Sequence, residues 1–242
     1  MLESRGIRTV TIGLVRPHME TTRPPRGVWV PFPLGRPLGE PENPAFQRRV
    51  LLQALRLVDR AEGPVILEDF PEDAPSMRDT AQWMPQVVLP DRAPQLPIDA
   101  VGWSSALHSE LKKVIPHWEA ARHRFGRTTV GLSRLTPAEW PAYAAQFLAG
   151  NLPASPVAGL SPALVLRYLS DDLKALYGEA VQAIGPQPSP AQVNRWFWGE
   201  TIAADLLRAL RTASTTSPND GFKTVGGRFL VPGPYVAKSA SS

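Results

Sequence analysis

The sequence contains no cysteine. That excludes disulfide bracing, thiolate metal ligation and a cysteine nucleophile together. Histidine is scarce, with four in all: His18, His108, His117 and His123. His117 and His123 stand six apart on one expected helix, off the i, i+3 or i+4 spacing that places two ligands on one face, so no metal is expected. No G-x-S-x-G motif supports a serine nucleophile, and neither a G-x-G-x-x-G fingerprint nor a P-loop is present. No apolar run approaches the ~18 residues of a membrane span. The opening Met1-Leu2-Glu3-Ser4-Arg5 lacks the basic and apolar regions of a signal peptide. Neither a membrane nor a nucleic acid is expected as partner, because the basic residues form no block interleaved with aromatics. A cytoplasmic location follows as the expectation.

What is present is an ordinary apolar fraction of 43% over 242 residues, enough for one large domain or two small ones. Net charge is +4, carried mostly by dispersed arginines, and an arginine-rich N-terminal region would attract an anionic small molecule. The 27 prolines fall between periodic segments and so punctuate a fold.

Residues 1–70 read as α/β. Gly6 sits where a C′ glycine ends a helical turn. Ile7 to Val15, rich in β-branched residues, is a strand, and Arg16 to Arg26 a polar, proline-broken loop. Gly27 to Val30 is apolar on both faces, as a buried parallel strand requires. A loop with Pro31, Pro33, Gly35, Pro37, Gly39 and Pro41 follows. Asn43-Pro44 then opens a helix over 45–60, with Asn as N-cap and Pro at N1. Residues 63–70 form a short strand ending in Glu68-Asp69. Residues 71–102 are proline-rich, aperiodic and read as a connector. From there the chain is expected to be an all-α bundle over 103–213, with helices near 104–125, 137–149, 162–184 and 190–213, and an arm and tail over 214–242. Three of the helix starts put Thr136, Ser161 or Ser189 before a proline at N1. The first unit is expected to be a partial Rossmann-like parallel sheet.

Loops at the carboxyl ends of parallel strands are where open α/β sheets bind ligands. His18 and Glu20 are therefore the candidate acid–base pair. Arg16, Arg26 and Arg36 are candidate anchors for a carboxylate, and Gly35 and Gly39 permit close backbone approach; the alternative is a rigid structural turn. Glu68 and Asp69 are expected at an inter-domain or partner contact. Trp196, Phe197 and Trp198 cannot share one helix face, so Trp196 or Trp198 is expected to meet the N-terminal domain or a partner surface, with Glu200 beside them.

The order Gly6-Ile7-Arg8-Thr9-Val10, a second strand, Val30-Pro31-Phe32-Pro33-Leu34-Gly35-Arg36-Pro37-Leu38-Gly39 and an Arg/Leu-rich helix resembles the C-terminal part of selenoprotein B. That family is the substrate-processing component of glycine, betaine, sarcosine and D-proline reductases. The resemblance covers about residues 4–60, and Arg8 replaces the proline of the family's first strand motif. It implies selenol- or thiol-dependent reductive cleavage of a small substrate. It also implies a selenocysteine or Cys on an upstream segment that this chain does not contain, after a selenocysteine codon misread as a stop. A short paralogue without the nucleophile, acting as a non-catalytic assembly subunit through a partner polypeptide or self-association, is the alternative.

Overall fold

The computed structural model describes residues 2–60, 65–93, 95–150 and 152–236. The chain divides into two compact units, Met1–Asp79 and Thr80–Ser242.

The first unit is α/β. Its strands β1 (Thr11–Gly13), β2 (Arg26–Trp29) and β3 (Ile66–Asp69) form a three-stranded parallel sheet in that order. Thr11 pairs with Gly27, and Gly27 with Leu67, so side chains alternate between two faces in register. Helix α2 (Pro44–Val58) begins as its sequence dictates: Asn43 accepts from the Phe46 amide at 3.0 Å and Pro44 follows the cap. Such a cap contributes about 1 kcal/mol. Its buried Phe46, Val50, Ala54 and Leu57 share one apolar cluster with Val28 and Val30. Gly13 and Gly27 lie on the other face, and Met19 fills the space over both.

Two expectations fail here. The first strand spans three residues, not Ile7–Val15. The expected loop after it contains helix α1 (Arg16–Thr22). Pro17 suits a first helical turn, Arg16 and Glu20 pair at i, i+4, and the hydroxyls of Thr21 and Thr22 donate to the carbonyls of Pro17 and His18 at 2.8 and 2.9 Å. Arg23 closes the helix at φ 48°.

The second unit is built of helices, with no strand among the described residues. They are α3 (Ala100–Phe125), α4 (Trp140–Gln146), α5 (Pro162–Ala180), α6 (Pro190–Glu200), α7 (Ile202–Thr216) and α8 (Asp220–Val225). Leu107 and Leu111 of α3, Leu166, Leu169 and Leu173 of α5, and Leu206, Leu207 and Leu210 of α7 belong to one buried core. Pro116 lies inside α3 without ending it. The single helix expected over 190–213 is two. Thr201 is extended (φ −93°, ψ 146°), donates its hydroxyl to the Phe197 carbonyl at 2.7 Å and accepts from the Ala204 amide at 3.1 Å. The helix expected over 137–149 is regular only over Trp140–Gln146; residues 137–139 form a turn ahead of it, in which Glu139 accepts from the amide and hydroxyl of Thr136, both at 2.7 Å.

The proline-rich stretch 71–102 belongs to both units. Phe70 and Ala74 are buried in the first, where the Ser76 amide donates to Glu40 at 2.7 Å. Val87 is buried in the core of the second, and Thr80 exchanges hydrogen bonds with the Gln192 amide group at 2.9 Å each way.

Candidate functional site

Parallel strands put like ends together, so the sheet of the first unit has an amino edge and a carboxyl edge. Arg26 opens β2 beside Ile66, the first residue of β3, and therefore lies on the amino edge. It is buried, and its Nη1 donates to both oxygens of Glu3 at 3.0 and 3.1 Å. Glu3 also accepts from the amide and hydroxyl of Thr9. The Thr9 amide first, helped by the hydroxyl and by Arg26, holds its carboxyl below the ordinary range. Arg26 thus anchors the N-terminal turn. It stands about 10 Å, three strand residues, from the carboxyl edge, and does not join the other candidate anchors.

The carboxyl edge carries Arg16, which starts α1, and Asp69, which ends β3. The Arg16 Nε donates to both Asp69 oxygens at 3.1 and 3.2 Å, and its Nη1 pairs with Glu20. Asp69 above all keeps the guanidinium proton more tightly held than usual. The pair ties the start of α1 to the end of the outer strand. It also corrects two site expectations. Arg16 is already held by two carboxylates. Glu20 serves Arg16, and as an i, i+2 neighbour on a helix it faces away from His18, so His18 and Glu20 form no acid–base pair. His18 itself is exposed.

The loop 31–41 is two consecutive tight turns. The Arg36 amide donates to the Pro33 carbonyl at 3.0 Å and the Gly39 amide to the Arg36 carbonyl at 2.9 Å. Gly35 sits third in the first turn at φ +86°, the conformation a type II turn requires there. Gly39 is left-handed too, at φ +79°, and a Cβ on it would stand 2.5 Å from the Phe46 ring and 3.2 Å from Phe32. Phe32, Phe46 and Phe70 pack with ring centroids 5.5 to 5.8 Å apart. The Pro-Leu-Gly repeat therefore has a complete structural explanation: it lays the loop against an aromatic cluster. Leu34, Gly35, Arg36 and Pro37 are left on its outer, exposed side.

The acidic segment after β3 faces its own unit. Glu68 accepts from Arg60 Nη1 at 3.0 Å and from Gln53 at 3.4 Å, and Glu72 accepts from Arg49 Nε and Nη2 at 3.1 and 2.8 Å. With Asp69 held by Arg16, both Glu68 and Asp69 make ion pairs inside the unit. These pairs border a groove of about 510 Å³ between α2 and the end of β3, lined by Arg49, Leu52, Gln53, Arg56, Phe70 and Glu72 among others. Sequence reasoning missed it, although a signal existed: Arg49, Gln53 and Arg56 recur at i, i+4 and i+7, one helical stripe. The field expected around this region is also absent, since residues 1–79 carry as many acidic side chains as arginines.

In the second unit Trp196, Phe197 and Trp198 are all buried. Trp198 stacks on Tyr235 with centroids 5.5 Å apart and lies under the Arg208 guanidinium. Neither Trp196 nor Trp198 is available to a partner surface, because the break at Thr201 lets α6 bury its aromatics on several sides. Glu200 is exposed at the end of α6. The polar groups that sequence reasoning did not single out are buried carboxylates. Glu110 accepts from the amides of Ile202 and Ala203 at 2.7 and 3.0 Å and from the Tyr177 hydroxyl at 2.6 Å, capping α7 from another helix. Burial pushes its carboxyl up, against those hydrogen bonds. Asp172 accepts from the amides of Gly131, Leu132 and Ser133 and from the Ser133 hydroxyl. Every donor to these two carboxylates is a structural group, so the geometry is that of a brace.

Comparison with family models, with curated proteins and with solved structures finds no match to this chain.

Proposed function

We propose that the chain is the substrate-side component of a selenol- or thiol-dependent reductase, related to selenoprotein B, and that it acts only when joined to a polypeptide carrying the nucleophile. One observation carries this reading: a parallel β-α-β-α-β unit presents its double-turn loop and the Arg16–Asp69 pair at the carboxyl edge, while the sequence has no cysteine to complete a reaction there. In this reading the unit is part of a larger Rossmann-like sheet, and a small anionic substrate meets His18 and Arg36, both exposed at that edge. The second reading, a non-catalytic assembly subunit, is favoured by the solvent-facing Leu51, Leu52 and Leu55 of α2. Its partner would be a polypeptide that covers those leucines.

The genomic DNA immediately upstream of the Met1 codon separates the two. An in-frame TGA preceded by an open frame with strand–helix alternation supports the reductase. An unrelated gene ending at its own terminator supports the assembly subunit. Expression of the TGA-spanning frame with Cys at that codon then allows direct assay of dithiol-dependent reduction, with Arg36→Ala expected to raise KM. An unchanged KM would count against the carboxyl edge as the substrate site.

A further inference from the structure

We infer that the groove between α2 and the end of β3 is a binding site for an organic monocarboxylate with an apolar body. Three arginines line it, Arg49, Arg56 and Arg60, with two carboxylates, Glu68 and Glu72. Arg49 is held in a two-pronged pair by Glu72, and Arg60 pairs with Glu68. Arg56 stands between them on the helix stripe and meets no carboxylate among the described residues. Its planar fork is thus the one cation of the groove free to take a carboxylate in two parallel hydrogen bonds.

Charge and lining set the ligand class. The flanking arginines are already neutralised, so the groove carries a net charge of one positive unit. A monoanion matches it. A phosphate dianion would bring surplus negative charge against Glu68 and Glu72. The floor is apolar, from Leu52, Leu57, Phe70 and Pro71. A volume of about 510 Å³ falls within the range of small-molecule sites, about 300 to 1,000 Å³. An aliphatic or aromatic tail therefore lies along the floor while the carboxylate reaches Arg56. This site lies on the α2 face of the sheet, and the inference holds whether or not the chain works with a nucleophile-bearing partner.

The test is an amide-resolved NMR titration of the full chain with three probes: hexanoate, hexanamide and inorganic phosphate. Hexanoate is expected to shift amides of α2 and of residues 66–72 saturably, with half-saturation on the order of 1 mM. Hexanamide and phosphate are expected to leave them in place at the same concentrations. Arg56→Gln, an exposed substitution whose fold the same spectra report, is expected to weaken hexanoate at least about tenfold. Arg48→Gln removes the same charge from the same helix outside the groove and is expected to bind as the parent does. Phosphate binding as tight as hexanoate, equal binding by hexanamide, or an Arg56→Gln variant with parental affinity would each overturn the inference.

Discussion

In the second unit Glu110 and Asp172 gather backbone amides from loops and helix starts distant in sequence, and both are buried. In the first unit Glu20, Glu68, Asp69 and Glu72 pair with arginines at or near the surface. The chemistry of the acceptor is the same and the surroundings differ. A buried carboxylate that loses its place leaves amides with no water to replace it, whereas an exposed ion pair exchanges protein contacts for solvent at little cost. Glu110 and Asp172 therefore define the fold of the second unit. Glu20, Glu68, Asp69 and Glu72 of the first position arginines around an open edge and a groove.

The largest test of that contrast is Asp172→Ala. It removes the acceptor of three amides and one hydroxyl in the 131–133 turn, and is expected to cost about 3 to 5 kcal/mol in denaturant-melt stability. A loss below about 1 kcal/mol would remove the distinction between the units. Next comes a pair within the first unit. Gly39→Ala combines a left-handed backbone with a Cβ against Phe46 and is expected to cost about 2 to 4 kcal/mol. Gly35→Ala meets open space and pays only for its positive φ, about 1 kcal/mol. Equal costs would mean that the two turns are strained alike and that the aromatic packing is not what requires Gly39.

Acid titration sharpens the comparison further. Burial raises the Glu179 carboxyl, yet hydrogen bonds from Thr128, Thr129 and Trp118 outweigh it and leave the folded value below the ordinary 4.5. A lowered carboxylate contributes stability that is complete above pH 4.5 and is lost as pH falls through its folded value. Glu179→Gln is thus expected to destabilise the fold at neutral pH, with the gap from the parent closing in acid. Glu110 has the opposite sign. Its raised folded value makes its contribution greatest below pH 4.5 and erodes it as pH rises, so the gap between parent and Glu110→Gln is expected to widen in acid. Parallel curves for the two variants would contradict the difference in their surroundings.

How much of this was legible follows from the range of each interaction. Asn43-Pro44, Ser161-Pro162 and Ser189-Pro190 announce their helices because a cap is closed within three residues. The parallel setting of β2 was legible from its apolar run. What escaped was decided at long range. The break at Thr201 depends on Glu110, 92 residues from Ile202. The burial of Trp196 and Trp198 follows from that break. Helix α1 escaped for a different reason: Thr21, Thr22 and a flanking Pro-Pro argue locally for a loop, and only Met19 packing over Gly13 and Gly27 tips the balance. Residue order placed Arg16 and the 31–41 loop after the carboxyl ends of β1 and β2, and that is where they lie. It could not show that Arg16 and Glu20 would pair with each other, or that Arg26 would fall on the opposite edge.

The smallest expected effect bears most directly on the first unit. Arg49 and Glu72 form the best-aligned exposed pair there, two hydrogen bonds at 3.1 and 2.8 Å, with side chains 49% and 39% exposed. A double-mutant cycle with Arg49→Ala and Glu72→Ala is expected to give a coupling of about 0.2 to 1 kcal/mol. Raising the ionic strength to about 1 M, where the screening length falls to about 3 Å, is expected to reduce it further. A salt-insensitive coupling of about 2 kcal/mol or more would place this pair with the braces of the second unit. A small, screened coupling means that Glu72 holds Arg49 to one side of the groove without fixing it. The arginine then orders the groove wall beside Arg56 at little cost or gain in stability.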